Sequence, residues 1–89
     1  MIELVKLALR IKSNAFDNEI IGLIDACKID LGLAGVYVTN NEDDPLIKNA
    51  IIFYCKANFG FNEDSDRWQK AYDNVKCALS LAGDYNAVP

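Results

Sequence analysis

Residues 44–61, DPLIKNAIIFYCKANFGF, carry a start signal, an apolar face and a stop signal within one stretch. Asp44 can accept from the orphan amides of a first turn, and Pro45 suits the first helical position because an N–H there has no intrahelical partner. Gly60 can take the left-handed conformation that ends a helix, and Phe61 is then placed to fold back on the last turn. Leu46, Ala50, Phe53, Tyr54 and Ala57 recur at i, i+4, i+7, i+8 and i+11, with Ile47, Ile51 and Cys55 widening that stripe. Lys48, Asn49, Lys56 and Asn58 are left for solvent. A helix this apolar predicts partners on more than one side, supplied either by the rest of the chain or by another subunit.

Before it, residues 2–12 (IELVKLALRIK) predict a short amphipathic helix, with Leu4, Ala8 and Ile11 beside Val5 and Leu9. Ser13-Asn14 interrupts it, and Asn14 followed by Asp17 has the form of a capping box with Asp in place of the usual Glu. A second helix is expected from about Ala15 to Leu33, its stripe Phe16, Ile20, Leu23, Ile24, Cys27 and Leu31. Gly22 and Ala26 give it a groove for close packing, and Gly32 and Gly35 dissolve it. After the central helix, Asn62 or Ser65 can cap a last helix over about 63–82, with Glu63, Asp64 and Asp66 at its positive end. That helix is expected to bury Trp68, Ala71, Tyr72, Val75, Leu79 and Ala82, with Gly83 ending it. The architecture predicted is all-α, a compact bundle of about four helices, two of them long, in a single domain spanning 1–89.

The segment 35–43, GVYVTNNED, joins strand-like Val36, Tyr37 and Val38 to turn-forming and acidic residues, and is expected to be one extended loop. Three β-prone residues make no sheet, but an extended edge can pair with a neighbouring molecule. A second apolar surplus lies on the helices. Ile29 and Leu33 fall off the main stripe of the second helix, and Cys77 and Leu81 fall off the Trp68, Val75, Leu79 line of the last one. The candidate interface residues are therefore Ile29, Leu33, Val36, Tyr37, Val38, Cys77 and Leu81.

Composition narrows the chemistry. The 89 residues are 52% hydrophobic and 25% charged, a globular balance, and no apolar run approaches the roughly 20 residues that span a bilayer. The N-terminus opens into helical periodicity without a basic region and cleavage site, which predicts no signal peptide and a cytoplasmic protein. A net charge of −4 without a Lys/Arg cluster argues against a grip on nucleic acid phosphates. Cys27, Cys55 and Cys77 are odd in number and far from Cys-x-x-Cys spacing, so no disulfide framework is expected, and Cys27 and Cys55 read as small core hydrophobes. With no histidine, a Cys-His pair or Ser-His-Asp triad is excluded within one chain. The run 40–44, NNEDD, lacks the Asp-x-Asp-x-Asp-Gly pattern and later bidentate Glu of a calcium loop. The carboxylates read as caps and solvating groups rather than an acid/base pair. No catalytic, metal or cofactor residue is predicted, and the protein is not expected to be an enzyme.

Three blocks resemble the small head-tail connector (adaptor, DNA-packaging) proteins of tailed bacteriophages: DACKIDLGLAGV (25–36), DPLIKNAIIFYCKANFGFN (44–62) and RWQKAYDNVKCALSLAGDYN (67–86). The resemblance implies a helical virion protein that assembles as a ring under the portal after packaging, completes the DNA-filled head and provides the tail attachment site. Its implied partners are further copies of itself in a dodecamer-like ring, starting from a monomer in solution, the portal protein and a tail-completion or stopper protein. It also implies a location in the bacterial cytoplasm during assembly and then in the virion. DNA would pass through the channel without specific binding, and acidic walls would repel its phosphates weakly. Glu42, Asp43, Glu63 and Asp64 are the candidate channel-facing residues. The competing reading is a small helical regulatory or adaptor module that binds one phage or host protein.

Overall fold

The structure is a computed structural model and describes residues 1–36, 44–59 and 64–81. Among these, four α-helices follow one another, α1 (Ile2–Leu9), α2 (Asp17–Leu33), α3 (Pro45–Asn58) and α4 (Ser65–Leu81), in an all-α bundle without a strand. Of the extended loop expected at 35–43, residues 37–43 lie outside the described residues, and Gly35 and Val36 belong to the end of α2.

Local signals start α3 as read from the sequence. The Asp44 carboxylate accepts from the Leu46 amide at 2.8 Å, its carbonyl accepts from Lys48 at 3.0 Å, and Pro45 stands at the first helical position. Phe59 closes the other end in extended backbone, its amide on the Cys55 carbonyl at 2.8 Å. Gly60 and Phe61 lie outside the described residues.

α3 packs against α1, α2 and α4, so the chain itself supplies the partners that its apolar surface requires. The buried face is turned from the expected stripe. Ile47, Ala50, Ile51 and Cys55 lose all contact with solvent, whereas Leu46 is about half exposed and Phe53, Tyr54 and Ala57 are half-buried. The reason is the aromatic seam with α4. Phe53 stacks on Trp68 with centroids 5.7 Å apart, and the Tyr54 ring meets Tyr72 edge-on at 5.1 Å. The seam takes one flank of α3 and leaves the aliphatic line Ile47, Ile51, Cys55 deepest, joined in the core by Val5 of α1, Ile20, Ile24, Cys27 and Leu31 of α2, and Tyr72 and Leu79 of α4.

Two other helix ends differ from expectation. α1 stops at Leu9 because Arg10 takes a left-handed conformation (φ 60°, ψ 40°), and the amides of Arg10 and Ile11 turn back to the Leu7 and Lys6 carbonyls at 3.1 and 2.9 Å. This is the two-bond helix terminus usually built on glycine. At the start of α2 no capping box forms. Phe16 holds the cap position without a side-chain bond, while Asn14 Oδ1 accepts a hydrogen bond from Lys6 Nζ and Asp17 Oδ1 stands against the same ammonium as an ion pair, each at 2.8 Å. Lys6 is itself almost wholly buried, so an ammonium removed from water takes both nearby acceptors, and the stem beneath it packs α1 onto α2.

Val36 is a correction to the interface set. α2 ends in the same two-bond motif, with Gly35 at φ 86°, its amide on Gly32 O at 3.0 Å and the Val36 amide on Leu31 O at 2.9 Å. In that motif the residue after the glycine packs back toward the last turn, and Val36 and Leu31 are both fully buried in the core. Val36 is not available on the surface of one chain.

These placements separate two aliphatic truncations. Ile51→Ala should lower the unfolding free energy by about 2–5 kcal/mol, whereas Leu33→Ala, on an 84% exposed side chain, should change it by no more than about 0.5 kcal/mol. Urea unfolding followed by circular dichroism checks the pair; equal losses would contradict the buried face described for α3.

Candidate interface surfaces

α2 has apolar side chains on opposite faces. Ile20, Ile24, Cys27 and Leu31 point into the core, while Ile21, Ile29 and Leu33 face solvent, Ile29 with 66% and Leu33 with 84% of its surface exposed. On α4, Tyr72 and Leu79 are buried, and Cys77 and Leu81 lie outside, Leu81 being 80% exposed. On α1, Leu7 is 76% exposed. Ile29, Leu33, Cys77 and Leu81 are thus exposed, whereas Tyr37 and Val38 lie outside the described residues. Of the acidic candidates Asp64 is exposed, with its carbonyl taking the first α4 bond from the Trp68 amide at 3.1 Å, and Glu42, Asp43 and Glu63 lie outside the described residues.

A polar clip ties the apolar end of α2 to α4. The buried Tyr72 hydroxyl donates to Asp30 Oδ2 at 2.5 Å, and Lys76 Nζ donates to the same oxygen at 3.1 Å while standing 5.2 Å from the Tyr72 ring centroid. Asp30 follows Ile29 and Lys76 precedes Cys77, so the clip holds parts of both exposed surfaces to one seam. The Tyr72 hydrogen bond, opposed by partial desolvation and assisted by Lys76, holds the Asp30 carboxyl below its ordinary 3.8. Burial, then the bond to Asp30, pushes the Tyr72 phenol well up. Burial drives the thiols of Cys27 and Cys55 up to about 12 each. At neutral pH the phenol and both thiols are therefore protonated and act as donors and packing groups, not as bases or nucleophiles.

A second cluster had no signal in the sequence. Lys56 Nζ stands 4.2 Å and Arg67 Cζ 4.6 Å from the Trp68 ring centroid, with Phe53 stacked on the same side chain. Trp68 was expected as plain core; it is a half-buried platform between α3 and α4. Its neighbours come from two helices, and only tertiary packing brings them together. Among the described residues no group of three or more potential ligands gathers as a metal site, and no helix is long and apolar enough to cross a membrane.

A small all-α chain that completes its core and still carries aliphatic side chains outward has the form of an assembly component. The family model for phage connector proteins matches residues 1–86, and the chain belongs to that family. It is a structural protein of the phage head-tail connector type. No curated protein and no solved structure matches the chain.

The clip makes stability depend on pH. A carboxyl with a depressed folded pKa stabilises fully above its unfolded value and loses that contribution as pH falls through the lower folded one. Asp30→Asn should therefore cost about 1 kcal/mol at pH 7, and its difference from the native protein should shrink below about pH 4. Urea unfolding at pH 7 and pH 3 measures both; a gap that widens on acidification would contradict the clip.

Proposed function

We propose that this connector protein is an adaptor that assembles as a closed ring under the portal once the genome is packaged, completing the DNA-filled head and presenting the site where the tail attaches. The observation that carries this reading is the exposure of Leu7, Ile29, Leu33 and Leu81 on a chain whose core is already closed. Large aliphatics left two-thirds or more in water mark surfaces that other proteins cover, and several on different helices suit a subunit touching more than one neighbour. Ile29 and Leu33 with Cys77 and Leu81 would meet neighbouring copies or the portal, and Tyr37 and Val38 would extend that contact. A stopper or tail-completion protein would bind the opposite rim. The subunit would act in the bacterial cytoplasm during assembly and end in the virion.

DNA would cross the ring without being gripped. The net charge of −4 supports a lining that repels phosphate, and the carboxylates of Glu42, Asp43, Glu63 and Asp64 would supply it, their repulsion screened beyond about 8 Å at physiological salt. Lys or Arg in that position would hold the backbone and slow transit.

Sedimentation velocity over a concentration series, repeated at low salt with labelled duplex DNA, tests both parts. The expected result is a species several-fold heavier than the monomer as concentration rises toward about 1 mM, with no duplex moving alongside it. A monomer or a simple dimer at every concentration would overturn self-assembly into a ring. Tight, steeply salt-dependent DNA binding would overturn the acidic lining.

A further inference from the structure

The outward face of α2 combines exposed aliphatic side chains with two glycines and one carboxylate. Ile21, Gly22, Asp25, Ile29, Gly32 and Leu33 are all exposed, and at 100° per residue they fall within an arc of about 120°. Apart from each glycine's chain neighbours and the helix's own backbone, no atom of the described residues lies within 4 Å of the place a Cβ would occupy at Gly22 or Gly32, and neither residue has a positive φ. Glycine in a helix interior is less stable than alanine, and among the described residues neither glycine serves a turn or a close approach. Without side chains they leave the outer face flat at both positions. Asp25 is the only charged residue on that arc, and its carboxylate has no partner among the described residues.

The complement stands on α1 of the same chain. Glu3, Leu7 and Arg10 form its outward line. Leu7 is 76% exposed, and Arg10 holds a left-handed backbone that L side chains adopt with strain, its guanidinium without a partner among the described residues. Leu7 and Arg10 lie one turn apart, as Asp25 lies one turn from both Ile21 and Ile29, so an apolar contact and an ion pair can form together.

We propose that α1 of a second copy of this chain docks on the outer face of α2, placing Leu7 against the Ile21 and Ile29 side chains and Arg10 against Asp25, with Gly22 and Gly32 setting the close approach. The occupant is another copy because the exposed leucine and the opposite unpaired charge both belong to this sequence. The contact joins unlike surfaces, so each subunit offers α1 to one neighbour and α2 to the other, the head-to-tail arrangement that a ring requires and that closes when the rotation between subunits does. It rests on the ring reading and names the surfaces that meet.

Sedimentation equilibrium on the full chain and its variants provides the test. Asp25→Arg and Arg10→Asp should each weaken self-association about tenfold or more, and the double charge exchange should restore most of it. Gly32→Leu should keep or raise the melting temperature and still weaken association about tenfold. Self-association that survives the single exchanges, or is not rescued by the double one, overturns this pairing while the ring stands. A native chain that stays monomeric throughout overturns the ring and the pairing together.

Discussion

Ile47, Ala50, Ile51 and Cys55 are withdrawn from water because three other helices lie around α3, and little in this protein can be moved without exposing them. Each of the two buried isoleucines contributes about 1.5–3 kcal/mol relative to staying exposed, so in a chain of 89 residues one line of side chains carries a sizeable part of a net stability that is typically about 5–15 kcal/mol. α1 and α2 close one part of that environment through Val5 and the line Ile20, Ile24, Cys27, Leu31. α4 closes another through its aromatic seam. Because the chain surrounds α3 by itself, the aliphatics left outside are not missing pieces of the core.

α4 contributes only Tyr72 and Leu79 to the fully buried set, fewer than α2, and its attachment is correspondingly more aromatic and polar. Trp68 on Phe53 and Tyr72 on Tyr54 give ring contacts, and the Tyr72 hydroxyl reaches past α3 to Asp30 of α2. One carboxylate thus holds helices that otherwise meet mainly through α3. Buried apolar area gives this fold its stability, and the Asp30, Tyr72 and Lys76 clip sets how the exposed end of α2 stands relative to α4. In the proposed assembly that relative placement matters, since neighbours would meet the outer faces of both helices.

Signals local to a few residues were legible in the sequence. Asp44 and Pro45 start α3 as their chemistry dictates, and the four-helix pattern follows from apolar periodicity. Signals that depend on which side a neighbour occupies were not. The stripe centred on Leu46 and Phe53 is as good a helical face as the one centred on Ile47 and Ile51, and only the aromatic preference of α4 for Phe53 and Tyr54 selects between them. Asn14 and Asp17 match a capping box, yet a buried ammonium eight residues before Asn14 competes for both oxygens. Val36 was readable and was missed: Gly35 followed by a β-branched apolar residue is the signature of a helix terminus whose next side chain returns to the core. The exposure of the off-stripe positions Ile29, Leu33, Cys77 and Leu81 was legible from periodicity, whereas Leu7 lay within a helix read as amphipathic throughout and was not singled out.

Native-state hydrogen exchange on the dilute monomer tests the central claim most directly, that one chain supplies every partner of α3. The amides of residues 50–58 should exchange only through global unfolding, with protection matching the full unfolding free energy and unchanged at concentrations where the protein associates. If those amides exchange rapidly in the monomer and become protected only on association, α3 is completed by a neighbouring subunit, and the division between a closed core and an assembly surface is wrong.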